Sequence, residues 1–98
     1  MAKEIKEAIH LGHFLKEKRE LAGLSQKDVA TKLGYSTPQF VSNWERGIST
    51  PPLKTLKKIG DLYKVSPDEL FNVTLNYQLQ QMTFDLKKKF YGKKAASL

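Results

Sequence analysis

Apolar residues recur three and four positions apart along most of the chain, which is the spacing of an amphipathic helix. One such stripe begins at Leu11 and Leu15, and a second follows Pro52. The two stripes predict helices over about 10–22 and 52–63. Elsewhere, capping residues indicate where further helices begin and end.

Two shorter helices are predicted between these stripes. Ser25, followed three residues later by Asp28, is a typical helix start, and Gly34 can end that helix in the left-handed conformation. The next helix is predicted to have Thr37 as its N-cap and Pro38 as its first residue. Gly47 is expected to end it. Two short helices joined by a tight turn form a helix-turn-helix.

The second helix of this pair has an inner and an outer face. Trp44 recurs at helical spacing with Phe40 or Val41, and these side chains can point inward. The polar residues left for the outer face are Gln39, Ser42, Asn43 and Arg46. Glutamine and asparagine amides can pair with adenine, and arginine binds guanine or phosphate. Taken alone, these residues could equally be an ordinary solvated surface.

The combined pattern resembles the Cro/phage-repressor-like (XRE-type) family of helix-turn-helix DNA-binding domains over residues 11–71. The residues that carry the resemblance are Gln26, Val29, Ala30, Gly34, Val41, Ser42, Trp44, Glu45 and Gly47. The segment from Gly34 to Gly47 is one residue longer than the family's commonest spacing, and the extra residue lies near Tyr35 and Ser36. The resemblance implies an all-α, five-helix, repressor-like domain.

The outward amides and the resemblance together suggest a DNA-binding site. The expected base contacts come from Gln39 and Asn43, with Thr37 and Ser42 as secondary candidates. The expected phosphate contacts are Gln26, Lys27, Arg46 and Lys54. The resemblance also implies a structural ion pair between Arg19 and Glu45.

The fifth helix should begin after Ser66, with Pro67 at its first position, and end near Phe71. Two apolar stripes follow at helical spacing. One consists of Leu75, Leu79, Met82, Leu86 and Phe90, and the opposite one of Tyr77, Phe84 and Tyr91. A helix that is apolar on both sides needs two partners, which are its own domain and another subunit.

The C-terminal stripes admit a second interpretation. Apolar and polar residues alternate from Val73 to Gln80, as in a strand, but the alternation breaks at Gln81 without a turn residue. We therefore expect a helix that oligomerises, although the segment could instead fold back and complete the core. The residues assigned to oligomerisation are Leu75, Tyr77, Leu79, Met82, Phe84, Leu86 and Tyr91. The expected division is a lead-in over 1–9, the DNA-binding domain over 10–72, the helical extension over 73–91 and a basic disordered tail over 92–98.

The net charge of +7 suggests a polyanionic partner, but much of it is concentrated at one end. Five of the 17 basic residues lie after Leu86, with no acidic residue among them. The folded domain is therefore nearly balanced, so double-stranded DNA is predicted from the motif more than from the charge. An adaptor that keeps this scaffold for protein interactions without binding DNA is an alternative.

Other functional classes have little support in the sequence. Cysteine is absent, which excludes disulfides and cysteine-based zinc sites. No apolar run is long enough for a membrane span, and no signal peptide is recognisable, so a cytoplasmic protein is expected. His10, His13 and Glu17 share a helix face, but nothing completes a metal coordination shell. No catalytic motif appears, so we expect neither an enzyme nor a cofactor, and no small-molecule effector.

The predicted function is sequence-specific binding of double-stranded DNA as a transcriptional regulator. A repressor that occupies a palindromic operator as a dimer fits the pattern best, with self-association into a homodimer or a higher oligomer. An antitoxin or a restriction-controller regulator would use the same domain and is an alternative.

Overall fold

The structure is a computed structural model that describes residues 2–92, with side chains described from His10 onward. It contains the helices α1 (Ala2–Leu21), α2 (Gln26–Leu33), α3 (Gln39–Glu45), α4 (Leu53–Tyr63) and α5 (Pro67–Tyr91). No strand occurs within this described range, which confirms the all-α, five-helix prediction, including a helix rather than a strand over 73–86. Residues 93–98 of the predicted basic tail lie outside the described residues.

All five helices contribute to one core, in which α1 contacts α3, α4 and α5. Among residues 10–92, the buried apolar residues are Leu11, Leu15, Val29, Ala30, Val41, Trp44, Leu56, Ile59, Tyr63 and Leu70. The predicted stripes of α1 and α4 supply five of these residues, so the apolar period identified the core faces of both helices. The first helix begins earlier than expected, because the charged lead-in is itself helical from Ala2.

Gly12 allows α1 to cross the end of α3 at very short range. A Cβ atom at this position would lie 2.5 Å from the Glu45 carbonyl oxygen and 2.8 Å from that of Trp44. Because both atoms belong to the backbone, a larger side chain would push the two helices apart. No local pattern indicates this contact, since Gly12 lies inside an ordinary helical pattern.

The capping residues of α2 behave as the sequence predicted. The Ser25 hydroxyl accepts a hydrogen bond from the Asp28 backbone N–H, and the Asp28 carboxylate accepts one from the Ser25 N–H, both at 2.9 Å. The bond from the Ser25 N–H is the main reason that the pKa of Asp28 is lowered from its usual value. Gly34 ends the helix with a φ of 87°, in the left-handed region.

The start of α3 lies one residue further along the chain than predicted. Gln39, not Pro38, is its first residue, and Pro38 occupies the cap position without a side-chain capping bond. The Thr37 hydroxyl still accepts a hydrogen bond from the Gln39 N–H, at 3.3 Å. Thr37 therefore makes the expected capping bond, although Pro38 occupies the N-cap position. The Pro38 backbone (φ −81°, ψ 9°) lies just outside the regular helix.

The expectation that the fifth helix ends near Phe71 was wrong. Helix α5 begins after the Ser66 cap, as predicted, but continues without interruption to Tyr91. The physical reason is that no glycine or proline occurs between Pro67 and Gly92, so nothing interrupts its backbone hydrogen bonds. The predicted fifth helix and the predicted extension are therefore one element.

Candidate nucleic-acid interface

The inward side of α3 anchors it to the rest of the domain. Val41 and Trp44 are buried in the core, as the helical spacing predicted. Phe40 is the exception, since 52% of it is exposed. In the turn before α3, the Tyr35 ring lies 4.9 Å from the Phe40 ring and 6.0 Å from the Trp44 ring, centroid to centroid. The longer turn is therefore held against α3 by aromatic packing.

A buried polar cluster fixes the C-terminal end of α3 to α1 and α2. Arg19 is 7% exposed and Glu45 is 6% exposed. Arg19 donates to both carboxylate oxygens, from Nε to Glu45 Oε2 at 2.6 Å and from Nη2 to Oε1 at 3.1 Å. Arg19 Nη1 also donates to the Leu24 carbonyl oxygen at 2.8 Å, and Gln26 Nε2 donates to Glu45 Oε1 at 2.8 Å. One carboxylate thus joins three helices.

The electrostatics of this cluster follow from its burial. The hydrogen bond to Glu45 raises the pKa of Arg19, so the guanidinium stays charged. Burial raises the pKa of Tyr63 far above its usual value, and the charge of Glu45 raises it further. The phenol is therefore neutral at physiological pH. A buried ion pair with several hydrogen bonds can hold a helix in one orientation.

A polar cluster lies on the outer side of α3, in which Gln39 and Arg46 are exposed and Asn43 is half-buried. Asn43 Oδ1 accepts one hydrogen bond from Gln39 Nε2 at 3.0 Å and another from Arg46 Nη2 at 2.9 Å. These three side chains therefore form one connected surface. Within the described part of the chain, Gln39 Oε1 and Asn43 Nδ2 make no hydrogen bond, so the surface still offers one amide acceptor and amide donors to a ligand.

The remaining base-contact candidates flank this cluster. Thr37 is exposed beside the start of α3, and Ser42 is half-buried. Phe40 lies next to Gln39 in the sequence and has its ring partly in solvent. The sequence allowed either Phe40 or Val41 to point inward, and only packing decided between them. An exposed phenyl ring here can make apolar contact with a thymine methyl group.

The phosphate candidates divide into two groups. Lys27, Arg46 and Lys54 are exposed, and Arg46 also donates a hydrogen bond to Asn43. The Gln26 side chain is half-buried and is already bonded to Glu45. Its backbone N–H, at the first position of α2, is the group that remains for a phosphate, because the first N–H groups of a helix have no partner within it.

The residues assigned to oligomerisation differ in exposure. Leu75, Leu79, Met82, Leu86 and Tyr91 are exposed. Tyr77 is half-buried and packs against the domain's own core. Phe84 is half-buried, with Lys88 Nζ 5.4 Å from its ring centroid. One apolar stripe of α5 therefore faces the domain at its start, and the other stripe has no covering element within residues 10–92.

The two histidines do not belong to a metal-binding group among the described residues. His10 and His13 are exposed, and no group of three or more histidines, cysteines, aspartates or glutamates there could hold a metal ion. None of the described helices is long and apolar enough to cross a membrane.

Comparison with known proteins identifies the family of the chain. A family model described as helix-turn-helix matches residues 15–70. The HTH-type transcriptional regulator ImmR of Bacillus subtilis (strain 168) is 36% identical to the chain over 86 residues, with 74% of this chain and 67% of ImmR covered. No solved structure matches at a comparable level.

Two uncharacterised HTH-type transcriptional regulators of Mycobacterium tuberculosis, Rv0474 and MT0491, are 33% identical to the chain over 60 residues. The match covers 61% of this chain but only 42% of each mycobacterial protein. The resemblance seen in the sequence is confirmed by the family match, which includes α2, α3 and the turn between them. The chain therefore belongs to the helix-turn-helix family of DNA-binding transcriptional regulators.

Proposed function

We propose that the protein represses transcription by occupying a pseudo-palindromic operator as a homodimer, without catalysing a reaction. The observation that carries this proposal is the polar cluster of Gln39, Asn43 and Arg46 on the outer side of α3. The buried pair of Arg19 and Glu45 holds the same helix from the inside. A polar helix surface whose inner side is held by a buried ion pair is suited to contact bases in the major groove.

Gln39 and Asn43 are proposed to contact bases, and their free groups suggest how. Gln39 Oε1 can accept a hydrogen bond from an adenine amino group, and Asn43 Nδ2 can donate one to adenine N7. Thr37 and Ser42 are secondary contacts at the edge of this surface. Phe40 adds an apolar contact to a thymine methyl group, which would favour an A·T pair next to the amide contacts.

The exposed cations are proposed to position the domain on the backbone. Arg46 and Lys54 lie at the end of α3 and the start of α4, and Lys27 lies in the first turn of α2. These residues can contact phosphates on either side of the groove that α3 enters. The Gln26 backbone N–H would bind a further phosphate at the N-terminus of α2.

Selection of bound sequences from random duplex DNA is the experiment that tests this function. We expect enriched sequences with two inverted half-sites, whose centres are about one helical turn, or 34 Å, apart. A shift assay on random DNA at low and moderate salt should show weaker, salt-sensitive binding. If the protein binds no DNA at either salt concentration, the proposal fails and the adaptor function becomes the better interpretation.

Dimerisation through the exposed stripe of α5 is the second part of the proposal. Two half-sites are needed because one recognition helix contacts too few base pairs to select a single genomic site. Removing the chain after Asn72 would be a poor test, because Thr74 is buried and Tyr77 packs against the core. Substitutions further along α5 leave those contacts in place.

Leu79→Glu places a charge in the exposed stripe, and Asn76→Glu adds the same charge on an exposed residue outside it. We expect Leu79→Glu to shift the protein to monomers in sedimentation and to weaken operator binding, whereas Asn76→Glu stays dimeric. Thermal melting of both variants monitors the fold. Equal sedimentation of the two variants as dimers would exclude this stripe as the interface.

A further inference from the structure

Helix α5 carries six exposed apolar residues in one line along its length. The line consists of Phe71, Leu75, Leu79, Met82, Leu86 and Phe90, each between 39% and 80% exposed. Its beginning coincides with an apolar groove of about 490 Å³ between α4 and the start of α5. Phe71 belongs to both features, because it also lines the groove with Leu53, Leu56 and Leu70. The groove and the line therefore form one continuous apolar surface.

The line is symmetric about its own centre. Counting outward from the midpoint between Gln80 and Gln81, Leu79 corresponds to Met82, Leu75 to Leu86 and Phe71 to Phe90. The side chains in each pair are identical or similar in size. Tyr77 and Phe84 on the opposite side of the helix are related by the same centre. A surface with this symmetry can pair with a reversed copy of itself, since a two-fold interface brings residue i against j and j against i.

We infer that α5 pairs antiparallel with α5 of a second copy of the chain, about a two-fold axis between Gln80 and Gln81. In this register Phe90 of the second copy packs against Phe71 at the edge of the α4–α5 groove, and the same contact is repeated at the other end. This inference rests on the proposed homodimer and adds its direction and register.

A parallel pair would use the same line but leave the groove uncovered. Phe90 lies 19 residues beyond Phe71, which is about 28 Å along the helix. It therefore cannot reach the groove of its own domain or, in a parallel pair, that of its neighbour. Only the antiparallel arrangement brings the last apolar residue of the line to the first and covers the whole surface.

Cysteine cross-linking can test this register without background, because the chain contains no cysteine. We would prepare the single variants Phe71→Cys and Phe90→Cys, oxidise each alone, and then oxidise them after mixing and exchange. The antiparallel register predicts disulfide-linked dimers only in the mixture. As a matched control, Asn76→Cys and Lys87→Cys are exposed residues outside the line and should not cross-link when mixed.

A distance measurement keeps the apolar line intact if the phenylalanine substitutions weaken pairing. A spin label at Asp68→Cys, on the exposed first turn of α5, should lie about 37 Å along the helix axis from its counterpart in the antiparallel pair. In a parallel pair the two helix backbones at this point would be about 10 Å apart, with the labels correspondingly close. Pulsed electron paramagnetic resonance between the two labels distinguishes these distances.

Sedimentation and operator binding by the unmodified chain separate failure of this inference from failure of the proposed function. A dimer that binds operator but cross-links within either single-variant sample, or gives a short Asp68 distance, overturns the register and leaves the proposed function standing. The register is also overturned by a dimer that forms no disulfide between Phe71→Cys and Phe90→Cys and shows no Asp68 distance of about 37 Å. A chain that remains monomeric on its operator overturns the proposed homodimer and this inference together.

Discussion

Helix α3 takes part in two hydrogen-bonded polar clusters that differ in their exposure. The inner cluster joins Glu45 to Arg19 and Gln26, and the outer cluster joins Asn43 to Gln39 and Arg46. Each is centred on the oxygen atoms of one α3 side chain. The inner cluster is surrounded by protein and holds the helix, whereas the outer one borders water and can exchange its partners for those of a ligand. Similar chemistry thus serves stability on one side and recognition on the other.

The largest expected effect comes from breaking the inner cluster. Glu45→Ala leaves the Arg19 guanidinium buried without a counter-charge and removes the acceptor of Gln26, so we expect a loss of about 3–5 kcal/mol in unfolding free energy. Urea denaturation measures this loss. Glu20→Ala is the matched control, because Glu20 is exposed and lies 3.9 Å from Arg19. Its removal should cost at most about 1 kcal/mol. Equal losses in the two variants would contradict the comparison.

Replacing the whole inner pair sharpens the same point. In the double variant Arg19→Met/Glu45→Leu no buried charge remains unpaired, so most of the stability lost in Glu45→Ala should return. If the pair also sets the orientation of α3, operator affinity should not recover to the same extent. Urea denaturation and a shift assay on one preparation measure the two quantities. If both the unfolding free energy and the operator affinity recover fully, the pair contributes to stability but does not set the orientation of α3.

The outer cluster should respond in the opposite way. Gln39→Ala and Asn43→Ala should each change the unfolding free energy by no more than about 0.5 kcal/mol. Each should weaken operator binding by about 1–3 kcal/mol and relax preference at one base pair. Asn76→Ala, an exposed amide on α5, is the control and should do neither. Unchanged sequence preference in both α3 variants would mean that the base-contacting surface lies elsewhere.

A smaller effect separates the charge of the outer cluster from its amides. Arg46→Ala should weaken binding to all sequences about equally, and the slope of log affinity against log salt should fall by about 0.9. Lys54→Ala should behave likewise, whereas Gln39→Ala should leave the slope unchanged. The measurement is a binding titration at several salt concentrations. A slope unaffected by loss of Arg46 would remove that residue from the phosphate contacts.

The smallest effect concerns Asp28, whose carboxylate is exposed but hydrogen-bonded. Its pKa is lower in the folded protein than its usual value of 3.8, so the ionised form stabilises the fold above that pH. This contribution should disappear as the pH falls through the folded pKa. The difference in thermal stability between the wild type and Asp28→Asn should therefore be present at pH 6 and shrink below pH 3.8. A stability difference that does not vary with pH would mean that the charge of Asp28 is not what stabilises the fold.

Some features of the fold and site were predictable because they depend on nearby residues. The caps at Ser25, Gly34 and Ser66 were identified correctly, since each needs only a few adjacent residues. The partner of Glu45 was expected only through family resemblance, because 26 residues separate it from Arg19. The length of α5 was misjudged because the end of a family pattern was taken for the end of a helix. After Pro67, the first residue that disfavours a helix is Gly92, so the backbone had no local reason to stop at Phe71.

The sequence by itself determined the all-α class, the helix-turn-helix and the outward amides of α3, because helical period and capping are local properties. Tertiary structure alone decided that Phe40 faces out and Val41 faces in, since both fit the same helical spacing. It also decided that Gly12 lies against the α3 backbone and that Tyr77 faces its own core. These outcomes depend on which atoms of distant segments occupy the same space, and no local pattern specifies that.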